Sequence, residues 1–400
     1  MLPRLLSRLL VQALTVLAHL RYSAGFTTKP SIETYPPRPR AILATRREFL
    51  VSTSLLTSAM EEGNQPTTIR TALLGAGIFA REAHAPILAR SPSFDCVAVW
   101  SRRLESASVL ADELGAEAFS GEASLEEVLA RKDIDAIVMA LPLDVQPDLV
   151  RRVLRSGKHL LSEKPIAPTV AIAREMVEEY EKVDTSRWLV AENFRYEPAI
   201  QRMADIVRTV IGKPYLVSLL LRAPFLPDNQ YLNTPWRKNP SWGDGGLFID
   251  SLVHMSAAMR LVMGGNALSV QGTTTSNADY LPGMDTLVAT VEWPAGATGV
   301  VSISYACQER KIELEVTGTQ GSALLRRGGT GWQILIGEQM EEFPFQGIEN
   351  EYEAFAAAIR GSREEDTLGA PRQALLDLAF VEACLTSGSC DGLRIPVEST

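Results

Sequence analysis

Ile69-Arg-Thr-Ala-Leu-Leu-Gly75-Ala-Gly77-Ile78-Phe79-Ala80 decides the fold. The first six residues, mostly apolar, read as a short strand, and a glycine-rich turn follows with no spacer. Phe79 to Arg90 then reads as a helix. In that setting the GxGxxA pattern has a mechanical logic. Gly75 makes the turn, Gly77 lets the backbone approach a pyrophosphate, and the small Ala80 lets helix pack on strand. The helix start adds free N–H groups and a partial positive charge for the phosphates. Gly75, Gly77, Ile78, Phe79 and Ala80 are therefore candidate cofactor contacts.

Outward from this unit the alternation of strand and helix continues. Phe94 to Trp100 is the second strand. Dinucleotide folds that use NAD usually place a carboxylate at its end, for the ribose 2′-hydroxyl. Here Ser101-Arg102-Arg103 follows, and no carboxylate comes until Glu105, already inside the next helix. A serine and two guanidiniums suit a 2′-phosphate. NADP(H) is the expected cofactor, with NAD possible. Next come a helix from Leu104 to Leu114, a strand from Ala116 to Phe119, and a helix from Ser124 to Ala130. Ser124 would cap that helix, with Glu127 at capping-box spacing. Asp135 to Leu141 is a strand, Pro147 to Ser156 a helix, Thr169 to Lys182 a helix and Trp188 to Ala191 a strand. Such interleaving predicts an α/β, Rossmann-type, doubly wound parallel sheet over residues 69–192.

Between two of those helices an apolar run, Lys158 to Ser162, ends in Glu163-Lys164-Pro165. Proline forbids continuation as a paired central strand. Ligands of open parallel sheets bind beyond the carboxyl ends of their strands, so a lysine there is aimed into the cleft. It could stabilise negative charge on a substrate oxygen. The alternative is a surface turn with two solvated charges.

After Glu192 the texture changes. A helix runs to about Ile211, and Tyr215 to Arg222 is an alternating strand. From Ala267 to about Ile336 the chain is nearly all strand, including Asp285 to Trp293, Gly299 to Tyr305 and Lys311 to Thr317. Consecutive strands of this kind predict a second, α+β domain over 193–400. Its large open sheet would be mostly antiparallel, with helices on one face. The bare face calls for a second subunit, hence a homodimer or homotetramer. Two helices, Glu349 to Arg360 and Arg372 to Ser387, close the chain.

Within that half, Leu247 to Met263 reads as a buried helix, apolar on nearly all sides. Only Asp250 and His254 interrupt it before Arg260, four apart and so on one face. Burying both requires partners. Either the aspartate orients the ring while its other nitrogen exchanges a proton with substrate, or the two form a satisfied pair capping the core. His84 could approach the cofactor phosphates, but packing at the domain surface is the expected fate of such a residue. Trp236 and Arg237 could stack on and hydrogen-bond a polyol or ketone.

Bulk properties limit the alternatives. Composition is 46% hydrophobic and 22% charged, which fits a globular protein. Net charge is −9 with no basic stripe, which argues against nucleic acid as a partner. The four cysteines show no metal or disulfide spacing, so no metal is expected. After residue 70 the sequence reads as having no apolar run long enough to span a bilayer, so no membrane is expected for the mature protein.

Residues 1–68 are a probable targeting segment by composition, poor in acids and rich in Arg, Ser and Leu. Leu9 to Leu20 followed by Ser23-Ala24-Gly25-Phe26 resembles a bipartite plastid pre-sequence. Arg46-Arg47 before a second apolar block resembles a twin-arginine signal. Plastid is the expected location, with mitochondrion, or cytoplasm from a start at Met60, as alternatives.

Three motifs together resemble the Gfo/Idh/MocA oxidoreductases over about residues 69–390. They are Gly75 to Ala80, Gly157 to Pro165, and Gly245-Gly246-Leu-Phe-Ile-Asp250-Ser-Leu-Val-His254. Ile78-Phe79-Ala80-Arg81 and Trp236-Arg237-Lys238-Asn239-Pro240 look most like an NADP-type fungal and plant branch. The resemblance implies Lys164 and His254 as the substrate-facing catalytic pair, Asp250 beside them, and Glu163 and Pro165 shaping the cofactor edge. It implies a small-molecule substrate, a sugar, polyol or related carbonyl. Ser-Leu-Val before His254, and Ala257 where many members carry aspartate, depart from the pattern and leave sugar specificity open. A non-catalytic NADP-binding sensor of the same fold is the competing expectation.

Overall fold

The computed structural model describes residues 68–182, 186–238, 243, 245–361 and 368–399. The expected targeting segment up to residue 67, and Asn239 and Pro240 of the Trp236 motif, lie outside the described residues.

The expected parallel sheet is present. Its strands are β1 (Ile69–Leu74), β2 (Phe94–Ser101), β3 (Glu117–Ser120), β4 (Ala136–Met139), β5 (His159–Glu163) and β6 (Trp188–Ala191). They lie in the order β3-β2-β1-β4-β5-β6 and every pairing is parallel. Between them run α1 (Ala85–Arg90), α2 (Leu104–Leu114), α3 (Glu122–Ala130), α4 (Gln146–Arg155) and α5 (Val170–Tyr180). Successive residues of one strand feed opposite cores: Ala136 and Val138 of β4 face one apolar cluster, Ile137 and Met139 the other. Burial on both faces is why these strands read as unbroken apolar runs rather than alternating ones.

Several boundaries shift by one or two residues from the sequence reading, and two of the differences have a clear local cause. The first helix opens with a π turn, Ala80–His84, in which Ala85 N–H donates to Ala80 O. Pro86 follows, and its missing N–H removes the α-type bond to Glu82, so the wider turn is tolerated there. α3 begins two residues early. Gly121 stands at its N-cap with φ 81°, a conformation open to glycine, and Ser124 lies inside the helix rather than capping it.

The second sheet has nine strands: β7 (Pro214–Arg222), β8 (Ser269–Thr275), β9 (Thr286–Glu292), β10 (Thr298–Ser304), β11 (Lys311–Gly318), β12 (Gly321–Arg327), β13 (Gly331–Ile336), β14 (Gln339–Pro344) and β15 (Ile395–Pro396). Their order is β14-β13-β12-β11-β7-β10-β9-β8-β15. All neighbours are antiparallel except β7 and β10. Chain order alone suggested consecutive hairpins; β7 instead occupies the centre of strands that follow it.

The remaining helices are α6 (Pro198–Thr209), α7 (Pro235–Lys238), α8 (Gly246–Met263), α9 (Gly347–Ile359) and α10 (Pro371–Ser389). α8 packs against α6 and α10. Contrary to the expectation from sequence, α8 is long and apolar enough to cross a membrane, but 78% of it is buried inside the protein. α9 crosses to the first sheet, where Tyr352, Phe355, Ala356 and Ala358 join the cluster of Leu73, Phe94 and Val99.

Candidate active site

A cavity of about 1030 Å³ opens beyond the carboxyl ends of the parallel strands. This is the location that open α/β sheets reserve for ligands. It is bordered by Gly75, Gly77, Ile78, Phe79, Ala80, Ser101, Arg102, Arg103, Glu163, Lys164, Pro165, Trp236, Arg237, Asp250 and His254. The sequence candidates therefore share one space, although they come from both halves of the described chain.

At one end the phosphate turn has the form its glycines require. Gly75 has φ 116°, and a Cβ there would stand 2.2 Å from Ala140 O. Gly77 is different: nothing lies within 4 Å of where its Cβ would be, so its backbone faces open cavity. Ser101, Arg102, Arg103 and Ser106 form the neighbouring wall, while Glu105 does not border the cavity. A dinucleotide fits these residues: bare backbone at Gly77 for the pyrophosphate, and two guanidiniums with a hydroxyl at the end of β2.

At the other end Lys164 and His254 stand together, each backed by a carboxylate. Lys164 Nζ donates to Asp250 O at 2.7 Å and approaches Asp250 Oδ1 at 3.4 Å. The peptide bond to Pro165 is cis. Gln146, at the start of α4, fixes this turn by donating from Nε2 to Glu163 O (2.8 Å) and Pro165 O (2.7 Å). Arg237 Nε donates to Asp250 Oδ2 at 2.7 Å, with its guanidinium 3.9 Å over the Trp236 ring. Burial pushes the Asp250 carboxyl up, but Lys164 and Arg237 outweigh it and hold the group well below the ordinary carboxylate range.

Two pairings differ from expectation. Asp250 does not hold the His254 ring; Glu192 does, with His254 Nδ1 and Glu192 Oε1 2.7 Å apart. One helical turn brings Asp250 and His254 to the same face, but Asp250 is occupied by two cations. Glu192 is fully buried, which alone would raise its pKa, yet His254, Arg195 and Lys164 together lower it. An ionised Glu192 accepts from Nδ1–H and leaves Nε2 as the acceptor toward the cavity. Phe194 stacks on the imidazole at 4.7 Å and fixes its plane. Likewise Arg237 is committed to Asp250 rather than held open for a polyol.

His84 also departs from its expected place at the domain surface. It is 1% exposed, with Nδ1 2.8 Å from Tyr352 Oη and Nε2 3.0 Å from Glu163 Oε1. It thus locks Glu163, at the end of β5, to α9. Glu192 and Gln146 were not singled out in the sequence. Glu192 carried a usable signal, since it follows β6 as Lys164 follows β5. Gln146 carried none, because its role depends on where α4 starts in space.

Fold and cavity together fit a nucleotide-dependent oxidoreductase: a dinucleotide turn at one end, and Lys164 and His254, each beside a carboxylate, at the other. Comparisons with known proteins agree. Residues 69–189 match the family model of the GFO/IDH/MocA oxidoreductases with NAD-binding Rossmann fold, and residues 200–324 match the GFO/IDH/MocA C-terminal domain. Dehydrogenase FPY6 of Fusarium mangiferae is 34% identical over 80% of this chain and 97% of its own. Inositol 2-dehydrogenase of Rhizobium meliloti is 27% identical over 80% and 97%. The crystal structure of an oxidoreductase from Thermotoga maritima superposes with a TM-score of 0.75 at 32% identity, covering 82% of this chain and 98% of that one. The chain belongs to the Gfo/Idh/MocA family and is an NAD(P)-dependent oxidoreductase.

Proposed function

We propose that the protein moves hydride between NADP(H) and an alcohol or carbonyl carbon of a sugar, polyol or related small molecule. In this reading His254 exchanges the proton and Lys164 holds the oxygen. The observation that carries it is the meeting of Lys164 and His254 on one cavity, each steadied by a buried carboxylate. Bound nicotinamide supplies or accepts the hydride. In the oxidation direction His254 Nε2 takes the hydroxyl proton while Lys164 Nζ stabilises the alkoxide character on that oxygen. In reduction the same nitrogen returns it. Glu192 keeps the ring in the required tautomer and offsets the imidazolium charge. Asp250 keeps the lysine ammonium aimed, and Arg237 keeps Asp250 ionised. A relative named inositol 2-dehydrogenase supports an alcohol or carbonyl carbon as the reacting centre.

Parallel assays of Lys164→Met and His254→Ala test the roles. Each should lower turnover of a responsive sugar, polyol or aldehyde by roughly a hundred- to ten-thousandfold, with NADPH affinity little changed. Normal turnover in both variants would remove the assignment. Loss of NADPH binding in both would make these residues structural. NADPH binding without turnover across the panel in the parent protein would favour a sensor.

The cofactor preference rests on Ser101, Arg102 and Arg103 and on the carboxylate missing from that wall. NADP should bind more tightly than NAD, and Arg102→Asp should reverse or erase the difference. Equal affinities in the parent protein, read by fluorescence titration, would refute it.

A further inference from the structure

Besides Arg81, Arg102 and Arg103, which come from the first sheet's side, two further guanidiniums border the cavity without an ion pair among the described residues. Arg310 lies in the loop between β10 and β11, and Arg327 ends β12. A series of rings ties the second of these to the proposed catalytic imidazole. Phe194 stacks on His254, then meets Trp332 edge-on at 5.5 Å. Trp332 meets Phe345 at 6.0 Å, and the Arg327 guanidinium sits 4.4 Å over Phe345. Arg310, in the β10–β11 loop, and Arg327, on β12, thus reach the cavity from the side of the second sheet, whereas Arg102 and Arg103 follow β2 of the first.

Both side chains are reached by solvent, and no carboxylate of the described residues neutralises either. Burial lowers the Arg327 pKa, the Arg310 charge lowers it further, and Glu197 offsets only part. Glu197 accepts from the backbone N–H groups of Gln346 and Gly347 and forms no ion pair with Arg327. Among the described residues neither Arg310 nor Arg327 is in an ion pair, although Arg237 on the same cavity is fully engaged by Asp250. Like charges gathered in a cleft raise the local concentration of anions. The planar guanidinium fork matches a carboxylate or phosphate in two-point contact, and the Phe345 ring limits the orientations Arg327 can take.

We propose that Arg310 and Arg327 form an anion subsite, selecting substrates that carry a carboxylate or phosphate on the same molecule as the reacting alcohol or carbonyl. The proposal rests on the reading above, that Lys164 and His254 act on the reacting oxygen, and it narrows the substrate class. An acidic sugar or a sugar phosphate satisfies it; an unsubstituted polyol does not.

Calorimetric titration of the full chain with NADPH bound tests it, using D-glucuronate, D-glucose 6-phosphate and neutral D-glucose as probes. One or both charged probes should bind at least about tenfold more tightly than glucose, since charge-assisted hydrogen bonds exceed neutral ones by that much. Whichever charged probe wins identifies the group as carboxylate or phosphate. Added salt should shrink the advantage. Arg310→Gln and Arg327→Gln should each lose most of it with NADPH affinity unchanged, and Arg327→Lys should restore only part. Equal binding of charged and neutral probes, no binding of any probe, or an advantage that survives both glutamine variants would overturn the subsite. Anion preference that depends on the arginines, with no hydride transfer to any compound, would keep the subsite and refute the oxidoreductase substrate reading instead.

Discussion

At the scale of single residues, the site turns on where each charge finds its opposite. Asp250 serves both Lys164 and Arg237, whereas Glu192 serves His254, so Lys164 and His254 lean on different carboxylates. Glu192→Gln would keep the shape and remove the charge. Turnover should fall by on the order of a hundredfold or more, because a neutral partner neither fixes the tautomer nor offsets imidazolium. The pH–rate profile should change shape as well, which a merely structural substitution would not cause; an unaltered profile and rate would reject the positioning role. Acid sensitivity follows from the same residues. Both carboxyls are lowered in the folded protein. Their contribution is therefore present above the ordinary carboxylate range, about pH 4, and is lost as pH falls through the lower folded values. In Glu192→Gln that loss should be smaller, measurable as a flatter dependence of Tm on pH.

Among the elements, the turn between β1 and the first helix divides structural from ligand-facing glycine most clearly. Gly75→Ala would force a side chain to φ 116° and to 2.2 Å from Ala140 O. That should cost about 1–3 kcal/mol on the scale of strained backbone and lower Tm markedly. Gly77→Ala meets open space, so the fold should survive while NADPH affinity falls. Equal loss of stability in both variants, by thermal melts, would contradict this division. The same turn explains how much could be read before any coordinates. GxGxxA between a strand and a helix fixes a sheet because two periodicities and a steric requirement coincide within twelve residues. Lys164 was legible because strand, charge and proline are consecutive. Asp250 and His254 were legible as a pair but not as partners, since helical spacing gives a shared face and says nothing of what crosses from β6. The central position of β7 was not legible either, because its neighbours are set by register with strands far along the chain.

For the molecule as a whole, one face of the nine-stranded sheet is left uncovered by the described residues. Leu216, Val288 and Val300 stand 40%, 49% and 42% exposed there, among serines and threonines such as Ser218, Thr290 and Thr298. We propose that a second copy covers this face, giving a homodimer or a tetramer built on it. Sedimentation should find an oligomer that Val300→Glu weakens; a monomer at micromolar concentration would dismiss it. The arrangement of α9 has a consequence for synthesis on the ribosome. Residues 69–191 contain all six strands of the first sheet, yet part of its apolar cover, Tyr352 and Phe355, is translated only after the entire second sheet except β15. During elongation the emerging half must keep Leu73, Phe94 and Val99 incompletely sheltered, an interval in which collapsed nascent chains are prone to associate. Release from the tunnel, rather than formation of the first sheet, therefore sets the moment at which the nucleotide fold becomes safe from its neighbours.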